Sequence, residues 1–207
     1  MSIAIPLQPA ETRIVLDGIS WDAFEKLADE REGSVPRMTY DQGVLELMSP
    51  LRVHENMGCL LGRLVETWTE VFEIEILSVA STTFKRKDLK RAFEADESYY
   101  IANAGLMHGR DEVDLKVDPP PDLVIEIEIT TSAIRKLKLF AAMGVPEVWR
   151  HDGERLQMHH LHDGRYEIIE TSAVLQGLTA ARIDAIIQQR FTIGETAMIR
   201  EFRRSLS

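Results

Sequence analysis

The sequence predicts a single α/β domain in which a mixed central β-sheet is flanked by helices. Three observations support this class. Segments with helical spacing of apolar residues alternate with short, alternating or apolar strand segments along the chain. The length of 207 residues suits one domain with one core. A strongly alternating strand at 123–129 is followed directly by a helical segment, as expected where helices cover a sheet.

The N-terminal half of the domain begins after a loosely held arm predicted over residues 1–16, so that the domain itself would span 17–207. Ser20 is a suitable N-cap for a helix that ends by Gly33. Residues 37–41 and 44–48 are predicted to form a hairpin. Apolar residues from Val53 to Trp68 at helical spacing predict a long helix. Short strands are expected at 73–79, 82–85 and 98–102.

The C-terminal half begins with a loop over 103–121, because three consecutive prolines at its end suit neither a helix nor an inner strand. The strand at 123–129 follows. Ser132 is then predicted to cap a helix that runs to Met143 and stops at Gly144. Two Asp-Gly turns divide a meander of strands at 147–151, 155–161 and 166–170. Helices at 180–189 and 195–204 are expected to close the domain.

Composition indicates an ordinary globular protein, with 44% apolar and 28% charged residues. No apolar stretch approaches the roughly 20 residues that a membrane-spanning helix needs, so no membrane partner is expected. The N-terminal segment lacks the features of a secretory signal. The single cysteine, Cys59, cannot form an internal disulfide and is predicted to be a small buried thiol. These features favour a reducing, cytoplasmic location.

The net charge of −10 disfavours nucleic-acid binding, because phosphates are attracted by Lys and Arg. Positive charge is nevertheless concentrated in one stretch, which precedes an acidic cluster at 94–97. This stretch could receive backbone phosphates, although a solvated surface is the simpler interpretation of such a cluster. Its members are Lys85, Arg86, Lys87, Lys90 and Arg91.

The strand at 123–129 carries the most informative polar residues. Its alternation puts Leu123, Ile125 and Ile127 on one face, and Glu126 and Glu128 together on the other. Two carboxylates on one strand face can share a hard cation such as Mg²⁺, which prefers oxygen ligands. A half-exposed strand whose polar face meets solvent is the alternative.

The order of the surrounding elements favours a catalytic site. Asp96 lies in the acidic cluster before one strand, the Glu126–Glu128 pair lies on the next, and Lys136 lies one turn inside the helix that follows. Three carboxylates and a lysine at strand ends suit metal-assisted attack of water on a phosphodiester, with the lysine orienting water or offsetting charge. A surface lysine is the alternative for Lys136.

The sequence resembles the Uma2-type restriction endonucleases, which are placed in the PD-(D/E)XK nuclease superfamily. The resemblance runs from about Trp21 to Glu170. The stretches that carry it are Gly43–Pro50, His54, Glu94–Ile101, Pro119–Thr131 and Lys136 through Gly144-Val145-Pro146-Glu147-Val148-Trp149.

This resemblance implies a restriction-endonuclease-like core with Asp96, Glu126 and Glu128 as ligands of Mg²⁺ or Mn²⁺. Glu128 stands where the superfamily has a lysine, and the resemblance implies that Lys136 takes the place of that lysine on the following helix. Glu46 and His54 match an upstream polar pair that could serve as extra ligand, hydrogen-bond partner or cap.

The expected activity is DNA hydrolysis, and symmetric cleavage of both strands would require a homodimer. A catalytically silent module that keeps the nuclease fold but acts in binding or regulation is the alternative.

Overall fold

Two β-sheets and seven helices make up the computed structural model of the chain, which describes residues 11–31 and 35–206. The α/β class predicted from the sequence is therefore confirmed. The predicted single sheet is divided in two, however, and only the larger of the two sheets is mixed.

The first sheet has five strands, all antiparallel, in the order β1-β3-β2-β6-β5. Its strands are β1 (Thr12–Leu16), β2 (Arg37–Asp41), β3 (Val44–Ser49), β5 (Thr83–Arg86) and β6 (Arg91–Glu94). The prediction of a loose arm is wrong for residues 12–16, because β1 pairs with β3 over its whole length. The remaining arm residues before Glu11 lie outside the described residues.

The second sheet has six strands in the order β11-β10-β9-β8-β7-β4, of which only β8 and β9 are parallel. Its strands are β4 (Leu77–Ser78), β7 (Glu97–Tyr100), β8 (Leu123–Ile127), β9 (Glu147–His151), β10 (Leu156–His162) and β11 (Arg165–Ile169). Every residue of β8 is buried, so the half-exposed alternative for this strand is excluded. A parallel β8–β9 pair needs a crossover, which the intervening helix supplies.

The helices are α1 (Trp21–Glu30), α2 (Arg52–Val71), α3 (Ala104–Met107), α4 (Lys136–Met143), α5 (Ala180–Gln188), α6 (Arg190–Ile193) and α7 (Glu195–Arg204). Ser20 caps α1 as predicted, by accepting a hydrogen bond from the Ala23 backbone N–H. The predicted Ser132 cap is wrong, because α4 begins only at Lys136. Cys59 is exposed on α2 and not buried as predicted. No helix in the described ranges combines the length and apolar character needed to cross a bilayer.

The main core lies between α2 and one face of the second sheet. It contains Leu60, Leu61 and Leu64 of α2, which contact Leu123, Ile125 and Ile127 of β8. Residues such as Val124 point to the opposite face of β8, where a second cluster forms under α4. β8 is thus packed on both of its faces, and this packing fixes the position of side chains at its C-terminal end, such as Glu126.

Candidate active site

Asp96 and Glu126 lie side by side on neighbouring strands. In the antiparallel β7–β8 pair, Glu97 stands opposite Ile125, so Asp96 is placed opposite Glu126. The Asp96 Oδ2 atom accepts a hydrogen bond from the Ile127 backbone N–H at 2.6 Å. Asp96 and Glu126 are only 6% and 2% exposed, respectively. The fold thus brings together two of the three predicted carboxylates in a buried position.

Lys136 reaches the same position from the first residue of α4. Its Nζ lies 2.5 Å from Glu126 Oε2, and both side chains are buried. The other carboxylate oxygen, Glu126 Oε1, is buried and has no hydrogen-bond partner among the described residues. A buried oxygen without a donor is costly, and such atoms often mark a place for a ligand or ion.

Glu128 is directed to a different partner. Arg150 of β9 donates to its Oε2 from both Nε and Nη2, and the Ser132 backbone N–H lies 3.3 Å from its Oε1. Glu128 and Glu126 therefore do not share a ligand in this arrangement, although alternation places them on the same face of the strand. The sequence did not indicate this, because Arg150 lies 22 residues further along the chain.

His54 is fully buried on α2 beside Asp96. Its Nε2 lies 3.5 Å from Asp96 Oδ2 and 3.4 Å from Glu11 Oε1. Burial lowers the pKa of His54 to about 4, although the nearby Glu11 carboxylate acts in the opposite direction. His54 is therefore a neutral imidazole at neutral pH, held against two carboxylates.

Glu46 is a hydrogen-bond partner of the β8–α4 connection. Its carboxylate accepts hydrogen bonds from the Ser132 hydroxyl at 2.9 and 3.0 Å and from the Ala133 backbone N–H at 2.8 Å. Arg13 of β1 contacts the same carboxylate at 2.7 Å. Glu46 thus fixes the segment that delivers Lys136 to Glu126.

Besides Arg150, three residues at the site were missed by the sequence analysis. Arg37 of β2 forms ion pairs with Asp96 and with Glu55, and its side chain is 9% exposed. Arg13 and Glu11 pair with each other at 2.9 Å near β1. The only sequence signal for Glu11 and Arg13 is the spacing of a polar pair two residues apart at the start of an apolar segment.

The site fits a hard cation only in part. Asp96 and Glu126 offer buried carboxylate oxygens, one of them without a partner, and such oxygens are the ligands that Mg²⁺ and Mn²⁺ prefer. Yet no three His, Cys, Asp or Glu side chains in residues 11–31 and 35–206 are grouped so that they could hold a metal ion as they stand. Each predicted ligand instead has a cation beside it, so an ion would compete with these cations for the carboxylates. The pairs are Asp96–Arg37, Glu126–Lys136 and Glu128–Arg150.

The predicted phosphate-binding stretch lies at the far end of the β5–β6 hairpin. Arg91 is five residues from Asp96, which is roughly 16 Å along an extended strand at about 3.3 Å per residue. Acidic partners neutralise four of its five cations, and the exposed Lys90 has no ion pair with any residue described. The pairs are Lys85–Asp29, Arg86–Asp88, Lys87–Glu25 and Arg91–Asp41. Its role in nucleic-acid binding stays a prediction.

Comparison with known proteins agrees with this architecture. The chain resembles the crystal structure of a putative nuclease belonging to DUF820 from Anabaena variabilis, with a TM-score of 0.55 and 16% sequence identity. The match covers 81% of this chain and 98% of the other, so the two share a restriction-endonuclease-like fold. The sequence profile of the Uma2 family, described as putative restriction endonuclease, matches residues 21–192. The chain therefore belongs to the Uma2 family. No protein with curated function matches it.

Proposed function

We propose that this protein is a metal-dependent endonuclease that hydrolyses DNA phosphodiester bonds. Membership of the Uma2 family and the nuclease fold support a nuclease. The observation that carries the proposal is the buried Lys136–Glu126 pair beside Asp96, in which Glu126 Oε1 has no partner among the described residues. A purely structural ion pair has no need of a second buried carboxylate and an unpartnered oxygen.

Asp96 and Glu126 would hold Mg²⁺ or Mn²⁺ through their carboxylate oxygens. When bound, the ion would supply Lewis acidity and activate water for in-line attack on phosphorus. Lys136 would then orient the attacking water or offset the negative charge of the transition state. Arg37 holds Asp96 in place through an ion pair, and His54 lies beside it. Glu128 joins the ligands only if it exchanges Arg150 for the ion.

The test is a nuclease assay on supercoiled, linear duplex and single-stranded DNA, with RNA as comparison, in EDTA, Mg²⁺ and Mn²⁺. The proposal expects cleavage of DNA that depends on the ion and is lost in Asp96→Asn. Asp122→Asn is a suitable comparison, because Asp122 is a buried carboxylate that binds backbone N–H groups of residues 101 and 103 away from the site. Cleavage that survives in EDTA or in Asp96→Asn would refute the proposal.

A catalytically silent nuclease-fold module is the second candidate. It is favoured by the cation beside each site carboxylate and by the net charge of −10. Calorimetric titration with Mn²⁺, in the parent and in Glu126→Gln, separates the two candidates. Binding that requires Glu126 favours the enzyme, and absence of binding together with absence of cleavage favours the silent module. A cytoplasmic location and a homodimer stay predictions.

A further inference from the structure

A groove runs from the candidate site along α4. It consists of two adjoining cavities of about 330 and 540 Å³ that share Leu137 and Lys138 in their walls. The first cavity begins at Glu128 and Lys136. The second ends at the β10–β11 turn, where Arg165 lines it. The groove therefore extends from Glu128 and Lys136 to the surface of the β10–β11 turn.

Three exposed cations of this groove differ from four of the five cations of the Lys85–Arg91 stretch, which are ion-paired. Arg135, Lys138 and Arg165 are exposed, and none of them forms an ion pair with a residue in the described ranges. Arg135 is the N-cap residue of α4 and Lys138 lies in its first turn, and both line the first cavity. Cations without an ion pair need not break one before they bind an external anion.

These cations also lie next to the proposed catalytic residues. Arg135 precedes Lys136 directly in the sequence, and both line the first cavity with Glu128 and Arg150. In a chain with net charge −10, a polyanion is repelled by most of the surface. The unpaired cations beside Glu128 and Lys136 reduce that repulsion locally.

We infer that this groove binds the sugar–phosphate backbone of the nucleic-acid substrate, with Arg135 and Lys138 as the phosphate contacts nearest the site. The inference rests on the proposed function, since it names the surface by which that substrate is held. Arg165 extends the contact away from the site. Phosphate contacts of this kind position a substrate without reading its sequence.

The experiment measures binding of a fluorescein-labelled DNA duplex by anisotropy in EDTA, over a series of salt concentrations. The test variant is Arg135→Gln/Lys138→Gln. The matched control is Lys116→Gln/Arg200→Gln, which removes two exposed cations that have no ion pair with the residues described and changes the net charge equally. A third variant, Lys85→Gln/Lys87→Gln, tests the hairpin stretch.

The groove variant should reduce the magnitude of the negative slope of log affinity against log salt by about 2, since each lost phosphate contact contributes about 0.9 for duplex DNA. The matched control should leave the slope at the parental value. Equal losses in both variants, or a larger loss in the hairpin variant, would overturn the inference. A parent that does not bind DNA would overturn it as well.

The two proposals can fail separately. A parent that cleaves DNA while the groove variant binds like the parent overturns only the groove. A parent that binds through the groove but never cleaves overturns only the endonuclease. The three variants should melt at the parental temperature, because their substituted side chains are not buried.

Discussion

Lys136→Met tests whether the lysine belongs to the buried site or to the surface. Lys136 Nζ lies 2.5 Å from Glu126 Oε2, and the two residues are 9% and 2% exposed. Methionine keeps the length of the side chain but leaves the Glu126 carboxylate buried without its cation. Removal of one partner from such a pair costs about 3–5 kcal/mol, a large part of the roughly 5–15 kcal/mol that stabilises a domain.

Urea unfolding in EDTA measures this loss, with two comparison variants. Lys138→Met changes an exposed lysine on the same helix and should leave the free energy of unfolding within about 0.5 kcal/mol of the parent. Lys136→Met/Glu126→Gln removes both charges and should recover most of the stability, because no uncompensated charge stays buried.

The single variant Lys136→Met also separates catalysis from ion binding. Without Lys136 beside Glu126, affinity for Mn²⁺ should equal or exceed the parental value, since a competing positive charge is gone. Single-turnover cleavage should nevertheless fall by roughly 10²–10³, as for one lost electrostatic contact in a transition state. A Lys136→Met protein with parental stability and parental cleavage would refute this reasoning and return the lysine to the surface.

Three further predictions concern the ion, Glu128 and pH. Millimolar Mg²⁺ or Mn²⁺ should stabilise the fold by about 1–3 kcal/mol, and an unchanged melting temperature would contradict a metal site. Glu128→Gln should weaken Mn²⁺ affinity in calorimetry if Glu128 exchanges Arg150 for the ion; unchanged affinity would show that it serves only Arg150. The pKa of His54 is lowered to about 4 in the folded protein. As pH falls, His54 is therefore protonated in the unfolded chain before it is protonated in the folded one. The free energy of unfolding should fall by about 2 kcal/mol between about pH 7.5 and pH 5 because of this residue. Burial raises the pKa of Glu97 to about 7, so this residue should increase the free energy of unfolding as pH falls. In urea unfolding in EDTA, the loss of stability at low pH should therefore be smaller for His54→Gln and larger for Glu97→Gln than for the parent. Parallel pH curves for the parent and both variants would contradict these assignments.

The sequence predicted most of the elements because their signals are local. The Ser20 cap, the turn before β3 and the periodicity of α2 depend on residues within one or two turns of the chain. Trp68, which ends the apolar pattern of the predicted long helix, is buried. The division into two sheets could not be predicted, since it depends on which edges pair across long separations.

The partners within the site were the least accessible from the sequence. Asp96, Glu126 and Lys136 could be selected as polar residues at strand ends, and the fold does bring them together. The counter-charges of Asp96 and Glu128 come from elements far away in the chain: Arg37 is 59 residues from Asp96, and Arg150 is 22 residues from Glu128. No sequence periodicity relates such distant residues, so these ion pairs could be identified only from the three-dimensional structure.

The strand β1 also bears on where the functional unit starts. The family match begins at Trp21, but Glu11 and Arg13 lie within the candidate site, where Arg13 contacts the buried Glu46 and Glu11 contacts His54. A domain boundary drawn at the first matched residue would therefore cut through the site. A protein trimmed to that boundary would keep every residue of the family profile and lose the counter-charge of Glu46, so its inactivity would say nothing about the catalytic competence of the whole chain.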